Sequence, residues 1–197
     1  MMKIRILGIN IKVSFLFCAI ISVLILCDTT GMIIPMLIAV FLHELGHLLV
    51  MKYFGCAPNE IKLIPGGIRI VSPVCAEKHS ILISLSGPLL NLIIFTVVYF
   101  SSSVLGVDYY LDFAFINLVY GIFNLLPFYS LDGGSIIEEI ISTKFGTIKA
   151  QKILKLITVV GAVLFLLTFM IFSLKGNINY SVLVISLYLI LSVFIKL

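Results

Sequence analysis

The stretch FLHELGHLLV, residues 41–50, sets two histidines and a glutamate into a run that is otherwise apolar. An ionisable side chain at the centre of a bilayer costs about 2.5–3.5 kcal/mol even on the gentler scales. Three such groups between His43 and His47 therefore call for a common purpose. Residues four apart on a helix share a face, so both imidazoles reach a single ion, and imidazole suits zinc. Glu44, one position further round, flanks the metal and is placed to take a proton from water activated there. Gly46 lets another backbone or a substrate approach closely. The alternative is two histidines packed and hydrogen-bonded between helices with Glu44 as their partner, a costlier arrangement in lipid than in water.

Working outward, the chain of 197 residues is 61% hydrophobic and 11% charged, with a mean hydropathy of +1.26. Soluble domains carry roughly 25% charged residues. The composition excludes an ordinary soluble domain and predicts an all-α polytopic membrane protein with about six transmembrane helices. There is no internal repeat or low-complexity tract, so residues 1–197 read as a single membrane-embedded domain with no separate regulatory domain. The expected spans are Val13–Cys27, Ile33–Tyr53, Ile81–Phe100, Phe113–Phe128, Leu156–Leu174 and Ile178–Ile195.

Charge sets the orientation. Lys3, Arg5 and Lys12 precede the first span, and Lys52, Lys62, Arg69 and Lys78 separate the second from the third. Lys144, Lys149, Lys152 and Lys155 separate the fourth from the fifth, and Lys196 ends the chain. Six alternating crossings put all of these on one face and leave Lys175 on the other, with Asp28, Asp108 and Asp112. The positive-inside rule then makes both termini cytoplasmic. MMKIRILGINIK has the basic flank of a signal peptide, but no small-residue cleavage site follows, so the first segment is expected to be retained. Lys144 to Lys155 read as a lipid-facing basic strip, with substrate docking as the alternative. Tyr109, Tyr110 and Tyr129 fit interfacial anchors. Cys18, Cys27, Cys56 and Cys75 form no close metal-binding pair and read as small hydrophobes.

Between the second and third spans, EIKLIPGGIRIV alternates apolar with polar residues about Pro65-Gly66-Gly67, which predicts a short β-hairpin over Ile61–Val71. An ordinary cytoplasmic loop is the alternative. The open edge of such a hairpin could pair with an extended peptide.

A catalytic zinc takes three protein ligands and keeps a position open. The remaining histidine, His79, lies at the end of that loop. Asp132 is the better candidate, standing in FNLLPFYSLDGG, residues 123–134, where Pro127 breaks or bends the helix and Gly133-Gly134 permit a tight turn. Asp132 could equally cap a helix Ser135–Ile141. The residue types alone leave both readings open.

HELGH in a membrane span, followed by Asn124-Leu125-Leu126-Pro127 and Leu131-Asp132-Gly133-Gly134, resembles the site-2 protease family of intramembrane zinc metalloproteases. Ser86-Gly87-Pro88-Leu89-Leu90-Asn91 is similar to that family's small-Gly-Pro-x-x-Asn element on the intervening span. The motifs occur in the family's order and cover about Ile33 to Ser135. The resemblance implies zinc held by His43, His47 and Asp132, Glu44 as general base, and Asn124 orienting the substrate backbone or stabilising the oxyanion. The compact form is most similar to the stage IV sporulation protein FB branch, whose client is a sporulation sigma-factor precursor. Many family members carry a further proline near Tyr129 or Ser130, and that branch commonly carries a C-terminal CBS domain; neither is found before Leu197.

Ser86, Gly87 and Asn91 also fit helix packing in lipid, and Pro88 is expected to kink the third span. The expected function is hydrolysis of a peptide bond in or near the transmembrane segment of a membrane-associated protein. The expected setting is a bacterial cytoplasmic-type membrane, with an inhibitory membrane partner and no nucleic acid. The rivals are a catalytically inactive client-binding scaffold of the same fold and a metal transporter. An intact Glu44 argues against the first, and the lack of ionisable ligands on the first, fifth and sixth spans argues against the second.

Overall fold

The computed structural model describes residues 2–6, 9–64, 67–71, 79–105, 110–174 and 180–194. The expected turn at Pro65-Gly66, and Cys75, Lys78, Asp108, Tyr109, Lys175 and Lys196, lie outside the described residues. The chain divides into two compact units, Met1–Asn124 and Leu125–Leu197.

The first unit opens with β1 (Met2–Ile6) and β2 (Ile9–Val13), followed by α1 (Phe15–Leu26) and α2 (Ile33–Tyr53). Next come β3 (Glu60–Ile64), β4 (Gly67–Val71), α3 (Ser80–Leu105) and α4 (Leu111–Asn124). The strands form one sheet in the order β1-β2-β3-β4, with β2 and β3 parallel and the other pairs antiparallel. The fold is therefore not all-α. The N-terminal segment, expected only as a basic flank, supplies two of the four strands, and β2 occupies the edge of β3 that the hairpin reading left open. Lys12 on β2 reaches the Glu60 carboxylate on β3 at 2.8 Å, and that contact holds the Glu60 carboxyl below its ordinary range.

The helices bury small and polar groups and expose apolar ones, the inverse of a soluble bundle. In α2 the buried positions are Ala39, His43, Gly46, His47 and Met51, one stripe at three- and four-residue spacing. Ile34, Met36, Phe41 and Leu49 point outward. In α4 the buried stripe is Ala114, Asn117, Gly121 and Asn124. Small residues permit close approach where lipid supplies no hydrophobic drive between helices. A Cβ on Gly46 would meet the Ser86 carbonyl of α3 at 2.7 Å, and one on Gly121 would sit 3.2 Å from the Pro88 carbonyl and Asn91. Pro88 lies inside a continuous α3. Towards the first turns of α2 and α4, a cavity of about 760 Å³ is lined by Pro35, Ile38, Val98, Ser102, Asp112 and Phe113, among others.

Asp28 starts α2. Its Oδ2 accepts from Ile33 N–H at 2.9 Å, while Oδ1 accepts from Thr30 N–H, Thr30 Oγ1 and Gly31 N–H at 2.8–3.0 Å. The Ile33 bond is the largest of the causes that hold its carboxyl below the ordinary carboxylate range. A depressed native pKa adds stability above the unfolded value, and that stability is lost as pH falls through the native one. Asp28→Ala is expected to lower the thermal midpoint by a few degrees at neutral pH and to flatten the acid-side decline. Melting curves from about pH 5 down to pH 2 check this; equal slopes for both chains would exclude it.

The second unit contains α5 (Asp132–Phe145), α6 (Thr147–Leu174) and α7 (Tyr180–Phe194). The fourth apolar run was expected to stay helical to Phe128, but α4 ends at Asn124 and a non-helical segment leads to α5. Pro127 removes a backbone donor there. Phe128 N–H bonds the Leu126 carbonyl at 2.8 Å, and Leu131 N–H bonds the Phe128 carbonyl at 2.9 Å. Gly146, at φ 80°, turns the chain from α5 into α6, a conformation open to glycine. Gln151 Nε2 then donates to Glu138 Oε1 at 2.8 Å, tying the two helices.

Among the described residues, α2, α3 and α6 are long and apolar enough to cross a membrane. Three shorter apolar helices, Phe15–Leu26, Leu111–Asn124 and Val182–Val193, accompany them. Lys149, Lys152 and Lys155 all fall within α6, which begins nine residues before the expected Leu156. The Lys155 ammonium sits 5.3 Å from the Tyr129 ring centre.

Candidate metal centre

Helix α2 projects His43 and His47 from one face, 3% and 8% exposed, with their Nε2 atoms 3.1 Å apart. What surrounds each ring decides what those nitrogens can do. His47 Nδ1 lies 2.7 Å from the Ile83 carbonyl oxygen. A carbonyl only accepts, so Nδ1 carries the proton and Nε2 the lone pair. His43 Nδ1 lies 2.7 Å from Asn91 Oδ1. The Asn91 amide is oriented by its other end, since Nδ2 donates to the Ala39 carbonyl at 3.1 Å and to Asn117 Oδ1 at 2.8 Å. Its Oδ1 must therefore accept from His43, which again leaves the lone pair on Nε2.

Two lone pairs aimed at one another across 3.1 Å repel unless a cation lies between them. Two nitrogens about 2.0–2.1 Å from a tetrahedral zinc are themselves about 3.3–3.4 Å apart. Neutral rings whose Nδ1 protons are both engaged cannot bond each other through Nε2, so the 3.1 Å approach fits two nitrogens turned towards one cation. Gly87 completes the cradle: a Cβ there would fall on the His47 ring and 2.9 Å from His43 Cε1. The small-Gly-Pro-x-x-Asn element thus abuts both histidine rings directly. Ser86 Oγ takes the second lone pair of the Ile83 carbonyl at 2.6 Å.

The remaining candidates are placed as follows. Glu44 is half-buried, next to His43 on the helix. The Tyr120 ring stands edge-on to His43 with centres 5.0 Å apart. Asn124 is buried, one turn further along α4, and donates from Nδ2 to the Tyr120 carbonyl at 3.0 Å. His79 stacks on Phe54 with ring centres 3.9 Å apart, a packing role. In the second unit Asp132 is half-buried and is the first residue of α5. The N-cap residue is Leu131, so the capping alternative for Asp132 does not hold. Gly133 and Gly134 lie directly on the backbone carbonyls of Leu125 and Phe128, leaving no room for a side chain.

Two roles were not read from sequence. Asn91 fits helix packing by its sequence and in the fold orients the His43 ring through Nδ1. Asn117, fully buried in α4, was not singled out at all. The one signal for it was a carboxamide within an apolar span, at the spacing of Ala114, Gly121 and Asn124.

Residues 102–168 match Peptidase family M50. The chain is 32% identical over 154 residues to a zinc metalloprotease of Methanocaldococcus jannaschii, covering 75% of this chain and 42% of that protein. It thus spans less than half the length of that curated relative. Its fold is similar to that of the site-2 protease from Methanocaldococcus jannaschii, with a TM-score of 0.74 and 27% identity, over 98% of this chain and 93% of the other.

Proposed function

We propose that this chain belongs to the site-2 protease family of membrane zinc metalloproteases, to which the comparisons liken it, and that it hydrolyses a peptide bond in or near the transmembrane segment of a membrane-associated protein. The observation that carries the reading is the pair of histidines whose Nδ1 atoms are both engaged and whose Nε2 lone pairs converge at 3.1 Å. His43, His47 and Asp132 offer two nitrogens and a carboxylate oxygen, a zinc donor set. The Leu131-Asp132-Gly133-Gly134 pattern, with Asp132 not serving as the helix cap, supports the third ligand.

Bound zinc supplies Lewis-acid polarisation of the scissile carbonyl and lowers the pKa of water to about 7. Glu44 takes a proton from the attacking water and delivers it to the departing amine nitrogen. The new C–O bond then replaces the C–N bond with no net proton consumed. Asn124 orients the substrate backbone or donates to the developing oxyanion. A transmembrane substrate is already hydrogen-bonded as helix, so it must unwind before attack. Pairing with an outer strand of the sheet, β1 or β4, would hold it extended.

Finer points of the reading rest on charge and motif spacing. Six crossings in one protease domain put both termini and the basic loops on the cytoplasmic side. The branch is that of stage IV sporulation protein FB, in a bacterial cytoplasmic-type membrane. The client is a sporulation sigma-factor precursor, and a membrane partner inhibits cleavage.

Glu44→Gln tests the core of this. At equal zinc content it is expected to cut client cleavage by at least about a hundredfold. Equal rates for the two chains would remove the protease reading. Client binding without cleavage by either chain would favour the inactive scaffold.

A further inference from the structure

Beyond its first partner, Asn91, His43 is linked through hydrogen bonds to Asn117 on α4. Asn117 Oδ1 accepts from Asn91 Nδ2 at 2.8 Å, and Asn117 Nδ2 donates to the Phe113 carbonyl of its own helix at 2.8 Å. Asn91 and Asn117 are both 0% exposed. Each link has a direction. The Phe113 carbonyl can only accept, so Asn117 must turn its nitrogen there and its oxygen towards Asn91. Asn91 must then present both N–H groups, to Asn117 and to the Ala39 carbonyl, and its oxygen to His43. His43 must donate from Nδ1.

We propose that Asn117 is a positioning residue for zinc: through Asn91 it fixes the tautomer and ring orientation of His43, so that Nε2 faces the ion as a lone pair. The proposal rests on the metalloprotease reading and extends it to a residue on a third helix. This chain of four hydrogen bonds starts at backbone carbonyls on α4 and α2 and ends at His43. Metal-bound histidines are commonly held by such outer partners, whose loss typically weakens metal binding 10–100-fold.

Two substitutions separate positioning from packing. Asn117→Leu keeps the branched four-atom shape of the side chain and removes acceptor and donor. Asn117→Asp, kept neutral by burial, retains a C=O for Asn91 and an O–H for the Phe113 carbonyl. The full chain in detergent is titrated with zinc against a chromophoric chelator. Its cobalt(II) form is read by electronic absorption, and the apo form by its melting temperature. Asn117→Leu is expected to weaken zinc about tenfold or more and to shift the cobalt bands. Asn117→Asp is expected to stay within about twofold of the unsubstituted chain. A packing residue gives the reverse, Leu tolerated and Asp damaging, and that pattern overturns the proposal. If the Leu chain does not fold, Asn117→Asp decides alone: displaced cobalt bands or weakened zinc overturn the proposal, and retained values support it. Zinc binding by the unsubstituted chain with no change in either variant defeats this proposal only. Failure of the unsubstituted chain to bind zinc defeats the metalloprotease reading as well.

Discussion

Gly87→Ala is expected to give a chain that keeps no measurable zinc and cleaves no client, with a lowered melting temperature. The added methyl would fall on the His47 ring and 2.9 Å from His43 Cε1, inside the distance real Cβ atoms keep. Neither ring has a retreat. His47 is tethered through Nδ1 to the Ile83 carbonyl, four residues before Gly87 on the same helix. His43 is tethered to Asn91, four residues after it. Moving α3 away as a body would cost the two histidines both of these hydrogen bonds. Overpacking typically costs about 1–3 kcal/mol, and here the shift is directed at the ligand atoms themselves. Metal analysis after gel filtration measures the outcome. A Gly87→Ala chain with its full zinc complement would mean that the two rings do not form the site.

That expectation was only half legible in the sequence. His43 and His47 could be paired from their four-residue spacing, since both sit on one helix and helix geometry is local. The role of Asn91 could not, because its partner lies 48 residues away and the contact depends on how α2 meets α3. The N-terminal sheet escaped for the same reason. Lys3 and Arg5 alternate with Ile4 and Ile6, a strand period, but β2 finds its parallel partner in β3 only after two helices intervene. The end of α4 is legible only in part. Leu125, Leu126 and Phe128 continue the apolar run, so hydropathy gives no stop signal, while Pro127 ends the helix three residues earlier, at Asn124. Hydropathy locates lipid contact; backbone hydrogen bonding locates helix ends, and the two part company where a loop is itself apolar.

The apolar loop also makes Gly134 a severe place for substitution. Gly134→Ala is expected to weaken zinc by roughly ten- to a hundredfold and to lower the melting temperature. A Cβ there would land on the Phe128 carbonyl, as one on Gly133 would land on that of Leu125. The loop has no freedom to yield. Tyr129 N–H is held at 2.8 Å by Thr158 Oγ1, and the Phe128 ring fills the space where Gly161 has no side chain. Both anchors belong to α6, so the strain falls on the first turn of α5, which carries Asp132. If the carboxylate of Asp132 binds zinc, its displacement and its removal are one event, and the two changes cannot add. Asp132→Ala combined with Gly134→Ala should then bind zinc no more weakly than Asp132→Ala alone, although each single change is large. Additive losses would place the effect of Gly134 outside Asp132 and leave the third ligand to another residue. A Gly134→Ala chain that melts early yet keeps its zinc affinity would separate the shape of the loop from the metal altogether.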